Sequence, residues 1–335
     1  MNRRSFFLQT LGWAFLASGC SRPQAIVNSS TGPIKINDLG RCLIHEHALV
    51  DFIGADQISF DRWNPDAVVA KVKPYLLDAV AHGVKTFFDC TPAFLGRDVL
   101  LLRRLAEETG LQIITTTGYY GAVQNKFLPR WAFEESAEQL AARWVAEWRD
   151  GIDGTGIKPG FIKIGVDANE KLSPLHAKLV EAAAYTHLQT GLTICSHTGP
   201  GHTAFEELAI VKALGVGPSA FVWVHAQAAT DFSFYERAAR EGMWISLDGM
   251  GWGDTDNYVN KLVALKSGGH LGRVLISHDA GWYKPEDPAA PLQGYVAIFE
   301  EVMPRLAMEG FTESDFYQLL EANPAEAFAM RVRKI

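Results

Sequence analysis

The chain has 335 residues, 48% of them hydrophobic, and a formal net charge of −7. That length suits one large domain and that apolar share a sizeable core, while the acidic balance, with no clustered basic face, excludes a nucleic-acid partner. No Pro/Ser-rich linker, low-complexity run or internal repeat divides the chain.

The first twenty residues read as a targeting segment. MNRRSFF sets a twin arginine before the apolar run LQTLGWAFLA, and Ala17-Ser18-Gly19-Cys20 follows as a lipobox-like cleavage site. The run is too short to span a bilayer comfortably. The expectation is export by the twin-arginine route, with Cys20 lipidated and the product periplasmic or membrane-anchored. Ordinary cleavage after Gly19 is the alternative. Residues 21–33 would form a tether and 34–335 the folded domain.

Eight short apolar segments then follow: RCLIHEH (41–47), VKTFFDCT (84–91), LQIITTTG (111–118), GFIKIGV (160–166), GLTICSHT (191–198), AFVWVHA (220–226), MWISLDG (243–249) and RVLISHDA (273–280). Continuous runs of this kind suit strands buried on both faces of a parallel sheet. Stretches with helical periodicity lie between them, including 66–83, 96–110 and 173–191, and several start at Ser or Asp and end at Gly. The fold expected is α/β, a single-domain (β/α)8 TIM barrel, with the doubly wound open sheet as runner-up.

Six residues able to bind metal stand at or near the ends of these segments: His45, His47, Lys163, His197, His225 and Asp279. In such a barrel the carboxyl ends of all strands open onto one face, so donors far apart in sequence converge there. His45 and His47, two residues apart on a strand, point to the same side, and Glu46 faces away. Nitrogen and oxygen donors suit zinc and similar ions, with one position left for water. Lys163 is costly as an ammonium in an apolar strand, whereas a neutral amine can take up carbon dioxide as a carbamate. A lysine snorkelling to the strand end or paired with an acid is the structural alternative.

Cys42, Cys90 and Cys195 read as small buried hydrophobes, Cys195 one pleat below His197. His82, His176, His187 and His270 need no function. His202 and His278 stand closer to the site, and strand parity turns His278 away from it. Trp252, Trp282 and Tyr283 follow the seventh and eighth strands in loops able to wall an apolar pocket.

With its IHEH, FIKIG, SHTG, VHAQ and SHDAGW segments, the chain resembles the phosphotriesterase family of the amidohydrolase superfamily. The resemblance implies two divalent ions, zinc first, with manganese, cobalt or iron as alternatives. His45, His47 and Asp279 would hold the more buried ion and His197 and His225 the more exposed one. Carbamylated Lys163 and a hydroxide would bridge them. It also sets Tyr120 against the substrate, with Trp282 expected along the same wall, and metal chemistry would place Asp279 to accept the proton of the hydroxide. The function implied is hydrolysis of a lactone or activated ester. Alternatives are phosphotriester hydrolysis and a non-catalytic metal-containing binding lipoprotein. The chain departs from the pattern at Ala228 and Gly249, where many members carry Asp and His or Arg. The partners expected are a small-molecule substrate and, at most, a second copy in a homodimer; a membrane enters only through Cys20.

Overall fold

The computed structural model describes residues 25–335 apart from Glu170. Its first element is an antiparallel hairpin, β1 (Ile26–Ser29) with β2 (Gly32–Lys35). This corrects the expected tether to residue 33. Val27 is fully buried, and backbone bonds join Ser30 N to Ile113 O (2.8 Å) and Met330 N to Ile26 O (3.0 Å). The expected signal segment and Cys20 lie outside the described residues.

Every expected apolar segment contains a strand: β3 (Arg41–Leu49), β4 (Val84–Asp89), β5 (Gln112–Ile114) continued by β6 (Thr116–Thr117), β7 (Phe161–Gly165), β8 (Thr193–His197), β9 (Phe221–Val224), β10 (Trp244–Leu247) and β11 (Val274–Ile276). Neighbours pair in parallel, in chain order around the ring. The break at Thr115 splits the ladder into a six-stranded and a four-stranded run, and Gly160 N bonds the Thr115 carbonyl at 2.9 Å. The ring closes where β12 (Gly281–Tyr283) runs parallel to β3 and His45 N donates to Ser277 Oγ at 3.0 Å. Gly281 suits that approach: its φ is +95°, and a Cβ there would stand 1.9 Å from the His47 carbonyl oxygen. The molecule is a (β/α)8 barrel.

Helices α1 (Pro65–Ala81), α2 (Val99–Thr109), α3 (Arg130–Glu134), α4 (Ala137–Asp150), α5 (Pro174–Thr190), α6 (Gly201–Ala213), α7 (Ser233–Glu241) and α8 (Thr255–Ser267) fill the crossovers. The chain ends in α9 (Met303–Met308), α10 (Glu313–Tyr317) and α11 (Asn323–Phe328). Asn64, Asp98 and Ser173 cap α1, α2 and α5 through their side-chain oxygens. No described helix is long and apolar enough to cross a membrane.

Strand parity divides the core. Residues such as Leu43, Ile162 and Ile245 face the helices, while Phe88, Phe161, Trp244 and the free thiols Cys42, Cys90 and Cys195 fill the lower barrel. Phe328 closes the floor, its ring 4.3 Å from that of Phe88, and the β1–β2 hairpin covers it with Val27. With the lower barrel packed, polar side chains gather at the opposite, carboxyl-terminal rim.

Candidate metal centre

All six expected donors line one cavity of about 70 Å³. On the first strand, His45 and His47 point the same way, as a two-residue spacing requires. His47 Nε2 is 3.0 Å and His45 Nε2 3.5 Å from Asp279 Oδ1, and His225 Nε2 is 4.0 Å from Asp279 Oδ2. Lys163 Nζ lies 3.0 Å from His45 Nε2 and is only 2% exposed, so the snorkelling alternative is excluded. The His197 ring meets His225 edge-on, with centroids 4.4 Å apart. His225 and Asp279 both adopt left-handed backbone, φ +59° and +53°, a strained conformation of the kind that clusters at functional sites.

The partners of the outward ring nitrogens set which atom each imidazole turns inward. Asp248, fully buried just beyond β10, lies 3.1 Å from His45 Nδ1 and 2.8 Å from His225 Nδ1. Thr91 donates its hydroxyl to Leu49 O, so it accepts from His47 Nδ1 at 2.8 Å. In each case Nδ1 carries the proton and the Nε2 lone pair looks into the cavity, the usual way a protein orients metal-binding imidazoles. Burial, with the Lys163 charge beside it, lowers His45 to about 4, and burial with His225 lowers His197 well below the normal range. Both rings are therefore neutral at pH 7. Burial alone would raise the carboxyl of Asp248, but His225 and His45 hold it well below its usual range. Asp279 is likewise lowered against its burial, mainly by His45 and His47.

Asp248 was not among the sequence-derived candidates. The one signal was an Asp directly after the apolar run WISL, near a strand end as His197 and Asp279 are near theirs. A His45, His225 and Asp248 cluster looks geometrically able to hold an ion. Asp248 nevertheless faces the protonated Nδ1 atoms, on the far side of both rings from Asp279, so we read it as their orienting partner.

The other expectations sort by position. Tyr120 and Trp282 both line the cavity. Tyr120 sets its hydroxyl 3.0 Å from His197 Nε2, and Trp282 packs edge-on to His47 at 5.8 Å between centroids. His278 points away, as parity predicts: Ile298 N donates to its Nε2, so its Nδ1 donates to Glu46 at 2.7 Å. His202 is exposed and reaches only the Asn169 carbonyl, which removes it from the site. At Gly249 a Cβ would lie 2.5 Å from Tyr258 Oη and 2.8 Å from Gln227 Nε2, so those side chains fill the space a larger residue would need. A larger cavity of about 790 Å³ lies behind the 93–97 loop, around the Arg97–Glu147 ion pair, and contains none of the six donors.

A (β/α)8 barrel that gathers four imidazoles, a carboxylate and a buried amine at its strand ends has the architecture of a metal-dependent hydrolase. The chain belongs to the phosphotriesterase family, whose model matches residues 25–328. It is 29% identical over 292 residues to the phosphotriesterase homology protein of Escherichia coli, covering 86% of this chain and 98% of that one. It is 28% identical to the aryldialkylphosphatase of Saccharolobus solfataricus over 308 residues, 88% of this chain and 97% of the relative. With the N-acetyltaurine hydrolase of Rattus norvegicus it shares 26% identity over 348 residues, 90% and 97% of the two chains. The expectation of twin-arginine export and lipidation at Cys20 is corrected. The segment that carried it lies outside both the family match and the described residues, and the relatives' names carry no sign of export. We assign no export route.

Proposed function

We propose that this chain hydrolyses lactones or activated carboxylic esters at a two-ion centre held by His45, His47, Asp279, His197, His225 and the carbamate of Lys163. The convergence of all six on one small cavity supports the reading most strongly. The donor set fits divalent ions: neutral imidazoles with inward lone pairs, an ionised carboxylate, and a buried amine without a carboxylate partner among the described residues. Two such ions, when bound, would lower the pKa of a shared water and polarise the oxygen of the electrophile.

The chain's own groups do the rest. Carbon dioxide would add to the deprotonated form of the Lys163 amine, forming an N–C bond and releasing a proton, and the resulting carbamate would supply two oxygens that share one negative charge. Asp279, ionised and 3.0 Å from His47, is placed to accept the proton of the attacking water. Val50, Phe52, Leu95, Tyr120 and Trp282 give the mouth apolar walls suited to an acyl or alkyl group. No side chain at 228 or 249 is titratable, so leaving groups that need protonation are served poorly. A second reading, phosphotriester cleavage, draws on the name of the Saccharolobus relative.

The test is kcat/KM on zinc-loaded protein for a lactone series, an aryl-ester series and a phosphotriester series. The expected outcome is at least tenfold preference for the carbon esters, about 1.4 kcal/mol of transition-state stabilisation. Lys163→Ala should lose activity and recover part of it with added short carboxylic acids. A tenfold phosphotriester preference overturns the substrate assignment, and full activity in Lys163→Ala overturns the carbamate.

A further inference from the structure

Three of the four site histidines have Nδ1 tied to an outer partner: His45 and His225 to Asp248, and His47 to Thr91. His197 differs. Its ring meets Tyr120 Oη at Nε2 and the edge of His225, and among the described residues no carboxylate or carbonyl holds it from outside. Its direction must come through the backbone, and the residues on each side of it are bound by one group. Ser196 Oγ donates to Oε1 of Glu207, and Thr198 Oγ1 donates to Oε2 at 2.5 Å. Glu207 sits on α6, fully buried, as are Ser196 and, within 2%, Thr198.

Parity gives this bridge its consequence. Ser196 on β8 and Thr198 just past its end both reach Glu207 on α6, and His197 between them turns the other way, into the barrel mouth. A carboxyl group buried without a cationic partner is costly, and burial lifts Glu207 to about 8, with the two hydroxyls opposing the rise. Nothing in the hydrolytic chemistry above uses it. We propose that Glu207 is a positioning residue: by engaging the hydroxyls on both sides of His197 it fixes the end of β8 so that His197 presents its ring to the more exposed metal position. The proposal rests on the two-ion reading of the site.

The experiment measures stepwise zinc affinity by chelator competition on metal-stripped, full-length protein, with steady-state kinetics alongside. Glu207→Leu keeps the volume and removes both carboxyl oxygens. It should bind one zinc as tightly as the unmodified chain and the second at least tenfold more weakly, in line with the effect of outer partners on metal affinity. Glu207→Gln retains an acceptor and should return the second affinity to within about threefold. If Glu207→Leu does not fold, Ser196→Ala with Thr198→Ala removes the same two bonds from the other side and should show the same selective loss. Variants that load both ions at unchanged affinity while melting at lower temperature would make Glu207 a packing residue and overturn the proposal. An unmodified chain that takes up no zinc removes the two-ion reading itself, and this proposal with it.

Discussion

Asp248 decides which nitrogen two imidazoles show to the cavity. It accepts from His45 Nδ1 and His225 Nδ1, from His225 N at 3.1 Å, and from Ser246 Oγ at 2.6 Å. In the proposed two-ion centre, Asp248→Ala should therefore weaken zinc binding by about 10–100-fold at both positions, since one ligand of each would lose its partner. Competition with a chromogenic chelator measures it; unchanged affinity would mean packing alone holds the rings. The convergence of the six cavity residues was legible because each could bind metal and stands at or near the end of an apolar run. Asp248 was not, because its partners are 203 and 23 residues away and meet only once β3, β9 and β10 share a ring. Gly249 shows the same limit. Its neighbours Tyr258 and Gln227 fill the gap through tertiary packing that no spacing in the chain displays.

At the scale of elements, period and length placed the strands, and the chemistry of caps placed the helices. The misreadings have physical causes. Residues 26–35 are short and half-exposed, and their strand character comes from sealing the barrel floor rather than from local pattern. The third strand is interrupted at Thr115, whose carbonyl accepts from Gly160 N, and hydropathy does not signal such a break. Near the C-terminus, α10 is anchored by a cap: Thr312 N and Oγ1 each bond Asp315 Oδ2 at 2.7 Å, and Lys266 Nζ bonds it at 2.8 Å. The Lys266 bond, with the Thr312 donors, lowers the Asp315 carboxyl from 3.8 to about 2. A depressed carboxyl adds stability above its unfolded pKa and loses it as pH falls through the folded one. Asp315→Asn should thus cost about 1 kcal/mol at pH 6. The gap between variant and unmodified chain should close between pH 4 and 2 in urea titrations of metal-free protein. A gap that persists at pH 2 would contradict this assignment.

Across the whole molecule, the barrel separates two tasks. Its lower half is an apolar plug of Phe88, Phe161, Phe328 and Trp244. Its upper half holds charge, supported by ties between strands: Glu46 to Ser277 and Ala280, Asp89 to Ala48, and Asp248 to its two histidines. The division was implicit in the alternation of the strands, whereas the ties depend on ring closure. Asp248 carries one more consequence. In the proposed two-ion centre a single anion would support a ligand in each position, so occupancy of one side would restrain the carboxylate that the other side needs. Linkage then makes the effect mutual: each ion should raise the affinity of the other by the same factor. Calorimetric titration of the stripped chain with zinc should give a steeper isotherm than two independent sites would produce, and Asp248→Asn should flatten it. Two identical, non-interacting steps in the unmodified chain would show that the shared anion transmits nothing. Where the coupling holds, the singly loaded chain is the scarce species, and the protein is found either empty or complete.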